Sequence, residues 1–265
     1  MVAASEAGFV EVEALRALPR HPLRFRCLAW EGDTVFEQRR DLNFPPLEAQ
    51  LEQAGVTVVV AQFGEMESLG GKAKLGEFVG VYEKLIERLA AGGKRRVVLL
   101  GPFVPAALSK AERKQHEAVH RAYTLAIEDL AARRGVPYVA AVEVVAAPGR
   151  LDEDRAEAGK DRLIRTARAL AQRLSGSVLV GTNAEVDARW QSLRPVIAAK
   201  NRLWFNYCRP QNWAFLNGDR TAQPSSRDHV DPSKRWFPTE MEQYLPLIAA
   251  REREIDALAT QLAQP

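Results

Sequence analysis

The feature that most limits what this chain can fold into is one run of β-branched residues, Val56-Thr-Val-Val-Val-Ala61, which ends at Phe63-Gly64 and gives way to Glu-Met-Glu-Ser-Leu-Gly-Gly71. An apolar run without polar alternation predicts a strand covered on both faces. Such strands belong to parallel sheets, and open parallel sheets bind ligands at the carboxyl ends of their strands. The polar turn after the run therefore supplies the first candidate site residues: Gly64, Met66, Glu67 and Ser68.

The flanking sequence alternates strand and helix signals. Helical spacing over 9–18 stops at Pro19 and Pro22. Residues 23–29 read as a short strand, 30–46 as a polar loop, and Pro45-Pro46 as the opening of a helix to Gln53. After the 56–63 strand, residues 75–90 place Phe78, Tyr82, Leu85, Ile86 and Leu89 on one helical face. Residues 96–103 form the next buried strand. Ser109 is a plausible N-cap for a helix to Arg134, followed by a strand over 136–142 and a helix over 161–174. This order predicts a parallel sheet with helices on both faces, a flavodoxin-like three-layer α/β sandwich. Ser175-Gly176-Ser177 reads as a link. The expected division is an α/β domain at 1–176 and an α-rich extension at 177–265 that packs on it. The extension carries a helix near 184–199, an aromatic segment over 203–216, a polar loop over 223–238, and a helix over 239–263 capped by Thr239. Trp204, Trp213 and Trp236 are expected to pack beneath it rather than to form a ligand platform.

Composition narrows the function classes. A hydrophobic content of 46% and a charged content of 27% are ordinary for a soluble globular protein. The net charge of +3 comes with no basic stripe interleaved with aromatics, so no nucleic-acid partner is expected. No segment reaches the ~20 apolar residues of a membrane span, and the first residues lack the pattern of a secretory signal. The chain as given reads as cytoplasmic; with a longer N-terminus it would read as exported. Cys27 and Cys208 form no C-x-x-C; one disulfide between them is the alternative, and burial as free thiols is the expectation.

Three ordered motifs carry a resemblance. Phe63-Gly64-x-x-Glu67-Ser68 after a Val-rich strand resembles the third block of the SGNH (GDSL-type) hydrolases. Phe25-Arg-Cys-Leu-Ala-Trp-Glu-Gly-Asp-Thr-Val35 resembles the second block of one subgroup. Lys200-Asn-Arg-Leu-Trp-Phe205 and Arg209-Pro-Gln-Asn212 are similar to that subgroup's tail. The resemblance implies an SGNH-type sandwich and ester hydrolysis by a Ser nucleophile, a late His base, and an oxyanion site made by a Gly N–H and an Asn side chain. The second-block Gly matches Gly32, beside Asp33; a turn is the competing role for Gly32. The third-block Asn falls at Met66, which has no N–H to offer; Gln62 is one candidate substitute. Glu67 is a candidate ion-pair partner for the Arg39-Arg40 loop, although capping of the following helix by Glu67 and Ser68 is the simpler reading. Met66-Glu-Ser-Leu-Gly70 lacks the first Gly of Gly-x-Ser-x-Gly, so a nucleophile elbow at Ser68 is disfavoured. No His lies in 149–159, where the late base belongs, and Asp152 and Asp154 are weak replacements. No first strand or Gly-Asp-Ser-like turn precedes residue 9. The strand at 23–29 is therefore expected to pair directly with 56–63.

A second constellation is His116-Glu117-Ala-Val-His120, an H-E-x-x-H on a predicted helix. Two His at i and i+4 can chelate zinc with the Glu as base, and Glu143 is a conceivable third ligand. Charged Arg113, Lys114 and Arg121 around the motif argue for a solvated surface instead. Asp228-His229-Val230-Asp231 holds the other His near acids; a base reaching over the strand ends is the alternative, and a polar loop with an exposed His is the expectation. The resulting expectation is an SGNH-hydrolase-like protein with degenerate catalytic machinery and weak or no esterase activity, needing no cofactor. It would bind an ester-bearing small molecule, a carbohydrate or a protein partner. The alternatives are an acetylesterase whose Ser lies upstream of Met1, and an HExxH zinc hydrolase.

Overall fold

Apolar periodicity and a few terminating residues account for the elements. In the computed structural model the described residues are 5, 7–30, 32–38, 40, 43–105, 108–142, 152–176 and 183–264, with 110 and 152–158 described by backbone alone. The elements are α1 (Phe9–Ala17), α2 (Leu47–Gln53), β1 (Val58–Gln62), α3 (Leu75–Ala90), β2 (Arg96–Leu100), α4 (Lys110–Arg134), β3 (Tyr138–Val139), α5 (Asp152–Ser175), α6 (Ala184–Gln191), α7 (Arg194–Cys208), α8 (Trp213–Leu216), α9 (Trp236–Glu242) and α10 (Tyr244–Leu262). Two 3-10 turns, Glu67–Gly70 and Lys72–Lys74, join β1 to α3. The chain is thus mixed α/β with a parallel sheet. The strand order is β1-β2-β3, with Val58 opposite Arg96 and Leu100 opposite Val139. Among the described residues no helix is long and apolar enough to cross a membrane.

The chain divides into two units. One comprises Trp30–Arg39 and Leu47–Arg173 and holds the sheet. Its core is built from Ala61 of β1, Val97 to Leu100 of β2, the Phe78, Tyr82, Leu85, Ile86 and Leu89 face of α3, and Tyr123, Ile127 and Leu130 of α4. Each fully buried Val, Leu, Ile or Phe side chain among them contributes about 1.5–3 kcal/mol. The α4 N-terminus is a full capping box: the Ser109 hydroxyl accepts from the Glu112 N–H, and the Glu112 carboxylate accepts from the Ser109 N–H. On α5, Thr166 Oγ1 accepts from the Val142 N–H at 3.0 Å.

The other unit comprises Met1–Ala29, Arg40–Pro46 and Leu174–Pro265. The expectation placed the whole of 1–176 in the α/β domain; instead the first 29 residues group with the C-terminal helices. The reason lies in α1, whose Val12 and Leu15 share a core with Trp190, Leu193, Ile197, Ile255 and Ala259. Within that core, buried Lys200 donates to Glu11 at 2.6 Å.

Three element expectations are corrected. Residues 23–29 form no strand and do not pair with β1. The polar groups of this segment go to helices instead: Arg24 pairs with Asp256, Arg26 with Glu252, and the Phe25 and Cys27 carbonyls accept from Lys200 and Trp204. The helix expected over 184–199 is two, with Pro195 placed in the first turn of α7. Thr239 caps nothing, because α9 already begins at Trp236. The 143–151 stretch, Glu143, Arg39 and the side chains of Asp152 and Asp154 lie outside the described residues.

Candidate functional site

The turn after β1 is shaped by Gly64. Its φ is +103°, and a Cβ there would stand 3.0 Å from Ile127 Cδ1, so backbone conformation and space both require glycine. The sharp reversal lets the residues after it fold back on the strand end. Glu67 is buried, and its two carboxylate oxygens divide their work. Oε2 accepts from the Gly64 N–H and Oε1 accepts from the Val35 N–H, both at 2.8 Å. One carboxylate thereby fastens the 32–38 loop to the end of β1. Glu67 takes backbone N–H groups rather than the candidate ion pair with the arginine loop, and Arg40 donates to the Leu28 carbonyl. Nor do Glu67 and Ser68 cap α3, whose N-cap is Lys74 without a side-chain bond.

Ser68 is fully buried. Its Oγ donates to the Glu65 carbonyl at 2.7 Å and lies 2.9 Å from Nε2 of His116. A carbonyl only accepts, so while the hydroxyl donates to Glu65 the contact with Oγ is made by the His116 tautomer that carries its proton on Nε2. Burial holds the His116 imidazole below its ordinary value, and the neighbouring His120 adds to the shift. His116 is therefore neutral at pH 7. Its second-turn neighbour His120 faces the Pro102 carbonyl at 3.2 Å, and Tyr123 OH donates to the Gly71 carbonyl at 3.2 Å. The H-E-x-x-H thus sits on the packed face of α4, and its two imidazoles engage two different segments of chain. Glu117 is exposed. Among the described residues, no group of three His, Cys, Asp or Glu side chains is arranged to hold a metal ion.

Beside this turn lies an open depression of about 320 Å³ lined by Thr34, Phe36, Met66, Glu67, Gly70, Lys74 and Glu77. Phe36 and Met66 are both exposed there. Of the residues read from sequence, Met66 and Glu67 line it, and Gly64 and Ser68 do not. Gly32 has a φ of +88° and open space where a Cβ would stand. Asp33 accepts from the Trp30 N–H at 2.7 Å, so Gly32 and Asp33 make a turn. Gln62 gives its side-chain N–H to the Gly101 carbonyl at 2.7 Å. In the tail loop, Asp228 accepts from the N–H groups of Val230 and Asp231, and exposed His229 stacks on Trp236 at 5.5 Å.

The Ser68–His116 contact was within reach of the sequence. His116 and His120 extend the Tyr123, Ile127 and Leu130 stripe toward the start of the helix at helical spacing, which marks them as facing inward. The lining by Thr34 and Phe36 had no such signal, because it depends on the Glu67 bond to Val35. Comparison with family models, with curated proteins and with solved structures finds no match to this chain.

Proposed function

We propose that this protein is an SGNH-hydrolase-like binding protein that holds an ester-bearing small molecule or a carbohydrate in the depression beside the β1 turn and has weak or no esterase activity. On this reading, β1 to β3 are consecutive strands of a flavodoxin-like sandwich, and the turn after β1 is the counterpart of the family's third block. The observation that carries it is the setting of Ser68: fully buried, with its hydroxyl donating to the Glu65 carbonyl at 2.7 Å as well as lying 2.9 Å from Nε2 of His116. A serine nucleophile needs the opposite arrangement, with its proton directed at a base and its oxygen open to substrate. Met66 at the rim offers apolar surface and no oxyanion donor.

One observation favours a second reading. The Ser68–His116 distance is that of a nucleophile and its base, and rotation of the hydroxyl away from Glu65 would reverse the bond. The two readings separate in one experiment. The protein is treated with a fluorophosphonate probe and assayed on p-nitrophenyl acetate, alongside Ser68→Ala. The binding reading expects no covalent labelling and equal background hydrolysis by both proteins. It also expects glucose pentaacetate to shift the NMR signals of Phe36 and Met66. Stoichiometric labelling at Ser68, with hydrolysis lost in S68A, would establish the hydrolase instead.

A further inference from the structure

Cys27 and Cys208 are far apart in sequence, yet the fold brings them to one place. Trp204 and Cys208 are one turn apart on α7 and so share a helix face. The Trp204 indole donates to the Cys27 carbonyl at 3.1 Å, which lays the Cys27 backbone against that face. Arg26, one residue before, stacks over the same ring at 4.7 Å and fixes the approach. Cys27 and Cys208 line one cavity of about 10 Å³. A space of that size holds no more than one water. Both residues are half-buried thiols in this structure. Burial pushes the Cys208 thiol up to about 12; Arg209 opposes the shift, the Cys27 thiol adds to it and Arg26 opposes it.

We propose that Cys27 and Cys208 are a disulfide-forming pair, closed by exchange with a small-molecule disulfide, and that the bridge ties the 22–30 segment to the last turn of α7. The exchange runs in two steps. The Cys27 sulfur, having lost its proton to solvent, attacks one sulfur of oxidised glutathione, forms a mixed disulfide and expels one glutathione thiolate. The Cys208 sulfur then loses its proton and attacks Cys27 Sγ, forming the internal bridge and expelling the second glutathione thiolate. Two protein thiols are oxidised and one glutathione disulfide is reduced to two thiols. The high value at Cys208 makes the second step the slow one and keeps the pair reduced on short exposure.

The test uses the full reduced chain, incubated with oxidised glutathione at pH 9 and quenched with N-ethylmaleimide. The expected product is a monomer lighter by about 2 Da that takes up no N-ethylmaleimide. Trypsin then yields peptides 27–39 and 203–220 joined by one disulfide. Cys208→Ser should stop at the mixed disulfide on Cys27, heavier by one glutathione. The bridged protein should melt several degrees higher than the reduced one. Glutathione retained on the wild-type chain at the end point, alkylation of both thiols, or a disulfide-linked dimer would each overturn the pairing.

Discussion

Two buried carboxylates solve the same problem in different ways. Glu67 spends its charge on two backbone N–H groups, and Glu11 spends its charge on the Lys200 ammonium. Hydrogen bonds to a carboxylate are worth about 1.5–3 kcal/mol each, so Glu67→Ala, which removes two, should lower unfolding free energy by about 3–6 kcal/mol. Hydrogen exchange should speed up at the Val35 and Gly64 amides in that variant. Burial pushes the Glu11 carboxyl up and the Lys200 ammonium down, against the attraction between them. Such a pair is costly to break and cheap to replace. Lys200→Met alone should cost about 3–5 kcal/mol in urea denaturation, and the Glu11→Leu, Lys200→Met double variant should recover most of it. His116 gives the pH dependence. Its folded-state value is lowered, so the unfolded chain binds the proton first as pH falls. The corresponding stability is present above the unfolded value, about 6.5, and is lost progressively below it. Denaturation midpoints measured from pH 5 to 8 should fall toward acid in the wild type, and part of that slope should vanish in His116→Gln.

Elements with strong internal signals were legible, and those defined by distant partners were not. The α3 helix follows from its apolar face, and the α4 start follows from Ser109 and Glu112, because both signals lie within a few residues. The strand character of 56–63 was likewise clear, although the ladder covers only Val58–Gln62. The 23–29 segment was misread because Leu23, Phe25, Cys27 and Ala29 alternate with other residues as a strand would. Its polar groups are instead bonded to α7 and α10, and no local pattern announces that. The candidate site divides the same way. Gly64, Glu67 and Ser68 were readable as a polar turn after a strand. What they do was not, since it depends on Val35 and His116, both more than a dozen residues away. At this scale the turn itself can be tested. Gly64→Ala must place a side chain at φ +103° and 3.0 Å from Ile127, so it should cost about 2–4 kcal/mol in chemical denaturation.

The two units differ in how the chain supplies them. The sheet-bearing unit draws mainly on the continuous stretch Leu47–Arg173, and the other draws on both ends of the chain. Contacts between near neighbours form faster than contacts across long loops. In pulse-labelled refolding, the β2 amides should gain protection before those of α7. Recovery of buried Trp190 and Trp204 fluorescence should lag with α7. The Glu11–Lys200 pair also sets an order for synthesis. While the ribosome is still adding residues ahead of 200, the acidic partner is already out and has no cation to meet. The apolar face of α1 waits still longer, because Ile255 and Ala259 complete its core. During synthesis α1 is therefore made well before the α10 residues that cover Val12 and Leu15. That helix is a natural landing place for a chaperone until the last turns of α10 emerge.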